Sequence, residues 1–170
     1  MVLGMYKVYR KIILACLLLI VASTVCGQRV TQTINDGWKF SLFEGDASTA
    51  DFDVSGWTDV SIPHTWNAKD AEDEIPGYFR GKGWYRKVVA VEELIPEQRV
   101  YLSFEGANQE TNVFVNGTFV GNHKGGYSAF TFDVTDYVHA GRNLIAVSVD
   151  NSHNPDIACL LYTSPSPRDI

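Results

Sequence analysis

Asn116-Gly117 stands between TNVFV (111–115) and TFV (118–120), two runs of β-branched and aromatic residues separated by only two positions. A two-residue connection of that kind needs positive φ at both central positions, and Asn-Gly adopts it at little cost. The two runs must therefore pair antiparallel, and such a hairpin needs further strands, because two strands alone cannot bury a core. The chain supplies them. RVYLSFE (99–105) sets Val100, Leu102 and Phe104 at alternate positions, the period of a half-buried strand. LIAVSV (144–149) interleaves Leu144, Ala146 and Ser148 with Ile145, Val147 and Val149, and WKFSLF (38–43), WYRKVVAV (84–91) and SAFTFDV (128–134) add three more candidates. No apolar period of helical length competes with them. Short strands joined by Gly, Asn, Asp and Pro turns predict an all-β antiparallel sandwich rather than an α/β fold. The longest irregular stretch, about 63–83, holds DAEDE (70–74) with Gly77, Gly81 and Gly83. A loop of that length in a compact domain is expected to be functional or to face a partner.

The two ends do not share this pattern. Lys7, Arg10 and Lys11 precede the apolar run IILACLLLIVA (12–22), with no acid among them, which is the layout of a secretory signal. The uncharged stretch gives out at Gln28-Arg29, short of the roughly 20 apolar residues of a membrane span. Small residues before the cut place cleavage between Gly27 and Gln28. Lipidation at Cys26 is the alternative, disfavoured by Val25 before it. Either route predicts export, to the periplasm or the cell surface. At the other end, CLLYTSPSPRD (159–169) resembles the translation of a sequencing adapter, a genuine Ser/Pro linker being the other reading. The expected organisation is a signal peptide at 1–27, one domain at 28–158, and an adapter-derived tail at 159–170 on a fragment of a longer protein.

Within 28–158, 10 Lys and Arg face 19 Asp and Glu. With no basic stripe, the segment lacks what phosphate-backbone binding requires, so nucleic acid is excluded as a partner. Cys16, Cys26 and Cys159 all fall outside this body. An exported domain without thiols cannot use disulfides and must rely on its apolar core.

Familiar catalytic patterns fail one by one. GYSAF (126–130) lacks the glycine two positions after the serine that a nucleophile elbow needs. His64, His123, His139 and His153 show no metal-ligand spacing, so they read as turn and surface histidines and no metal site is assigned. Gly81 and Gly83 precede a strand, whereas phosphate cradles open a helix; they read as turn geometry. Glycosidases use paired carboxylates about 5–10 Å apart, yet Asp70, Glu72, Asp73 and Glu74 sit in a hydrophilic loop with nothing apolar to raise a pKa. The sequon NGT (116–118) coincides with the hairpin turn, which already explains it. What remains is aromatic richness beside polar strand ends, the composition of carbohydrate sites, with Trp38, Trp57 and Trp84 read as core.

Seven segments extend that reading: IPHTWN (62–67), GWYRK (83–87), FEGAN (104–108), VFVNG (113–117), VGNHKGGYS (120–128), FDVT (132–135) and NLIAV (143–147). In this order they resemble the N-terminal sugar-binding domain of glycoside hydrolase family 2, most closely that of its exported β-galactosidases, over nearly all of 28–155. The resemblance implies a jelly-roll β-sandwich of the galactose-binding-domain type. It implies a parent enzyme that removes a terminal β-glycoside with retention, using two glutamates on a later (β/α)8 barrel, so no catalytic residue is assigned in this chain. It also implies that Asn108 projects towards the barrel's active site and contacts the terminal sugar, for which an amide offers both donor and acceptor. Asp150 and Asn151 are lesser candidates for the site edge, closure of the last strand explaining them equally well. Cofactors are none within this segment, since the sodium or magnesium of family members lies outside it. The implied partners are a carbohydrate and the chain's own downstream barrel. Galactoside is preferred on overall similarity, glucuronidases and mannosidases sharing the domain. Two readings from other classes stay open, a stand-alone secreted carbohydrate-binding module and a cell-surface interaction domain.

Overall fold

The computed structural model describes residues 10, 29–66, 79–94 and 96–157. Apart from residue 10, the expected signal peptide, together with the expected Gly27/Gln28 cleavage site, the acidic residues at 70–74 and the expected adapter-derived tail at 159–170, lies outside the described residues. The chain divides into two units, Met1–Thr33 and Ile34–Ile170. In the first, residues 29–33 form no strand. Among the described residues, no helix is long and apolar enough to cross a membrane.

The second unit carries eight strands: β1 (Trp38–Leu42), β2 (Thr58–Val60), β3 (Lys82–Val91), β4 (Tyr101–Phe104), β5 (Glu110–Val115), β6 (Thr118–Lys124), β7 (Phe130–Asp133) and β8 (Gly141–Asp150). Six form one sheet in the order β2-β1-β3-β8-β5-β6, and β4 pairs with β7 in a second. Every pairing is antiparallel. The expected sandwich is present, and so is the hairpin: Asn116 and Gly117 have φ of 52° and 82°, and Val115 pairs with Thr118. The three-residue β2 is an element the sequence pattern does not show.

The period of two sorts the side chains. Ile145, Val147 and Val149 of β8 join Trp38, Tyr85 and Val113 in the main core, against which Leu102, Phe104 and Phe132 of the smaller sheet pack. Each such aliphatic side chain contributes about 1.5–3 kcal/mol by leaving water. The opposite face of β8 is buried too, because Ala47, Phe52 and Trp57 from the β1–β2 connection cover Trp84 and Ala146. Arg86 holds that cover down, donating from Nη2 to Thr49 O at 2.7 Å and from Nη1 to Phe52 O at 3.4 Å. Trp38 and Trp84, each 3% exposed, are core as expected; Trp57 is half-buried in the second cluster.

Two local expectations need correction. Gly83 lies inside β3, where a Cβ would come within 2.9 Å of Phe40 and 3.1 Å of Trp66; close ring packing, not a turn, requires glycine there. Gly81, at φ 154°, does occupy a turn position. His64 and His123 are half-buried rather than free surface histidines: His64 packs edge-on against Phe40 at 4.7 Å, and His123 stacks on Phe130 at 4.0 Å.

Register brings one end of the large sheet into a row. Lys82 lies opposite Asp150, Asp150 opposite Glu110, and Glu110 opposite Lys124. Beside this row lie the segments that lead into β3 and β5, leave β8, and follow β6.

Candidate functional site

At this end the residues singled out from sequence come together. Gln109 N donates to Asp150 O at 2.9 Å, which ties the segment before β5 to the end of β8. On one side a cleft of about 140 Å³ is lined by His64, Thr65, Trp66, Asn108 and Asn151. On the other a cleft of about 160 Å³ is lined by Gln109, Glu110, Asp150 and His153 among others. Asn108 and Asn151 thus share a cleft, and Asp150 faces its neighbour.

The three candidates differ in what their side chains are already doing. Asn151 is engaged at both ends of its amide, accepting from Gly81 N at 2.8 Å and donating to Phe79 O at 2.8 Å. It holds the approach to β3 against the end of β8. Asp150 accepts from Ser152 N at 2.8 Å, closing the turn after the strand. Asn108 is exposed, and its amide has no hydrogen-bond partner among the described residues. It is nonetheless seated: a Cβ on Gly126 would come within 2.7 Å of Asn108 Oδ1, and Gly125 N donates to Gln109 O at 2.8 Å. The Gly125-Gly126 pair therefore forms one wall against Asn108, a role the glycine doublet hinted at only through its composition.

Sequence reasoning missed the opposite wall. Trp66 Nε1 donates to Tyr85 Oη at 2.7 Å, and His64 Nδ1 lies 2.9 Å from the same oxygen. Indole nitrogen can only donate, so Tyr85 accepts from Trp66 and has its own proton left to give. Giving it to His64 Nδ1 satisfies every group. The reverse arrangement would leave a buried phenol proton without a partner, a cost of about 1–3 kcal/mol. Tyr85 is 8% exposed, and burial pushes its pKa up to about 12, partly offset by the Trp66 hydrogen bond. Burial also lowers the pKa of His64 below its ordinary 6.5. Near neutral pH the described residues of the cleft therefore present uncharged hydrogen-bonding groups and one indole, surfaces suited to the hydroxyls and C–H faces of a pyranose. Among the described residues, no three His, Cys, Asp or Glu side chains gather to hold a metal ion.

Comparison with known proteins agrees with this chemistry. The family model described as glycosyl hydrolases family 2, sugar binding domain, matches residues 31–157. The solved structure of Bacteroides uniformis β-glucuronidase 2 superposes with a TM-score of 0.70 at 42% identity, over 77% of this chain and 16% of that one. A β-galactosidase from Thermoanaerobacter pseudethanolicus is 39% identical over 75% of this chain and 16% of its own length. A Bacteroides fragilis β-glucuronidase is 34% identical over 85% of this chain and 20% of its own. This chain thus spans only a sixth to a fifth of these relatives. The sandwich, its register and the match across nearly all of its length establish that the chain belongs to glycoside hydrolase family 2 and carries that family's sugar-binding domain.

Proposed function

We propose that the chain is the leading domain of an exported, exo-acting, retaining β-glycosidase, in which it helps position the terminal sugar while a downstream barrel performs the chemistry. The observation that carries this reading is Asn108, an amide unused by the fold and held by the Gly125-Gly126 wall at the mouth of a polar cleft. Such an amide can donate to one hydroxyl of a pyranoside and accept from its neighbour. Asn151 supports the cleft by fixing Phe79 and Gly81, and Asp150 edges the adjoining one. Retention is supported by the relative from Bacteroides uniformis, which has been solved covalently bound to a cyclophellitol-6-carboxylate aziridine. A covalent sugar adduct is what a carboxylate nucleophile forms in a retaining mechanism.

A β-galactoside is the substrate we favour. The β-galactosidase from Thermoanaerobacter pseudethanolicus, at 39% identity, supports it. A β-glucuronide is the second reading, supported by the names of the relatives at 42% and 34% identity. Reading the source gene onward from the codon for Ala158 tests the parent architecture: a second sandwich and a barrel with two glutamates are expected. A stop codon following the Ser/Pro sequence would favour a secreted sugar-binding module instead. The chain itself is expected to hydrolyse neither nitrophenyl β-galactoside nor nitrophenyl β-glucuronide, and turnover would refute the assignment of chemistry to the barrel. Export is tested by sequencing the N-terminus of the secreted product, expected at Gln28; a lipid-modified Cys26 would identify the alternative route.

A further inference from the structure

We propose that His64 is a sugar-contacting residue, its Nε2–H donating to a hydroxyl of the same pyranoside that Asn108 reads. The inference rests on the cleft being the sugar site and adds a second, oriented group to it. The ring is held on two sides, edge-on to Phe40 at 4.7 Å and to Tyr85 at 5.8 Å. Its Nδ1 is engaged by Tyr85 Oη, whose other hydrogen bond comes from Trp66. That relay leaves the ring proton on Nε2. Nε2 has no partner among the described residues, and it is not among the buried polar atoms that lack one, so it opens to the cleft that the ring lines. Asn151 uses both ends of its amide within the fold, so its neighbours must supply most contacts to a ligand. A donor fixed before the ligand arrives loses little freedom on binding. The lowered pKa of His64 keeps the ring neutral near pH 7, with one donor and one occupied acceptor.

The test uses the 170-residue chain labelled with ¹⁵N. Long-range imidazole spectra of the free chain should show the proton of His64 on Nε2, and a proton on Nδ1 would overturn the proposal. Titration with methyl β-galactopyranoside, and separately with methyl β-glucuronide, should shift His64 Nε2 and the Asn108 side-chain amide along one saturation curve. His64→Phe should weaken that curve about 3–10-fold, the range of one neutral hydrogen bond. Tyr85→Phe removes the group that orients the ring, and should give mixed tautomers with weaker binding. These spectra of the unmodified chain decide the matter even if a variant fails to fold. Movement of Asn108 without His64 would overturn this proposal and leave the sugar site standing. Movement of neither with either sugar would overturn both.

Discussion

Asn116 offers a stringent test of how this sandwich is held together, because it is both a turn residue and a half-buried hydrogen-bond hub. Its Nδ2 donates to Tyr137 O and to Asn143 Oδ1, each at 2.9 Å, and its Oδ1 accepts from Leu144 N at 2.9 Å. Asn143, 1% exposed, continues the network to His139 O at 2.7 Å and Gly141 O at 3.1 Å. The β5–β6 turn is thereby fastened to the connection that leads into β8. Asn116→Gly preserves the φ of 52° without strain and deletes only the side-chain bonds. Three bonds at a net 0.5–1.5 kcal/mol each give about 2–4 kcal/mol of destabilisation. That is a large share of a total stability of about 5–15 kcal/mol, and should lower Tm by about 4–16 °C. Asn116→Asp keeps the acceptor for Leu144 but turns a carboxylate oxygen towards Tyr137 O and Asn143 Oδ1. It should be worse than glycine at pH 7, and should recover part of the loss once the carboxylate is protonated, below about pH 4. Urea unfolding followed by tryptophan fluorescence at pH 7 measures both. A glycine variant within about 0.5 kcal/mol of the parent, or an aspartate variant as stable as the glycine one, would refute the assigned network.

Three further outcomes follow from particular contacts. Gly83→Ala drives a methyl group against the Phe40 and Trp66 rings, so Tm should fall by the equivalent of about 1–3 kcal/mol, with a shift in tryptophan emission. Arg86→Met retains an apolar stem but loses the bonds to Thr49 O and Phe52 O. Hydrogen exchange should then quicken in residues 43–57, while an unchanged exchange pattern would show that Arg86 does not hold the cover down. The titrations of His64 and Tyr85 act at opposite ends of the pH scale. His64 is lowered by burial from 6.5, so the unfolded chain binds its proton more tightly and stability should decline as pH falls below about 6.5; His64→Phe should flatten that slope. Tyr85 is raised from 10.0 to about 12, so its contribution is complete below pH 10 and lost as pH climbs towards 12.

Much of the fold can be read locally and much of the site cannot, for one physical reason. The Asn116-Gly117 turn and the alternation in β3, β5 and β8 are properties of neighbours in sequence, and backbone geometry makes them visible without the fold. TDV in β2 is too short to show a period and becomes a strand only because β1 pairs with it. Alternation in β8 suggested one buried face, yet both are buried, since the second is covered by a connection whose docking no period announces. His64 looked like an isolated surface residue. Its partner Tyr85 lies 21 positions away, and only β3 crossing beneath Phe40 and Trp66 makes the relay. The resemblance to a known family picked out Asn108, but not the glycine wall that seats it.

Where β5 begins and β8 ends, the end of the large sheet divides the site in two. At this sheet end two consecutive pairs, Asn108-Gln109 and Asp150-Asn151, lie beside one another, tied by the bond from Gln109 N to Asp150 O. Asn108 and Asn151 line one cleft, while Gln109 and Asp150 line the other. The Asp150 carboxylate is thereby kept apart from the cleft of Asn108 and Asn151, although it is adjacent to Asn151 in sequence. This arrangement depends on the register that sets Glu110 opposite Asp150. A slip of β8 by one residue would exchange its faces and turn the Asp150 carboxylate towards the side of the Asn108 cleft. The buried side chains of β5 and β8, Thr111, Val113 and Val115 against Ile145, Val147 and Val149, prevent that slip, because it would carry their apolar face out of the core. The separation of Asp150 from the described residues of the candidate sugar cleft is thus tied to how the core is packed several residues away.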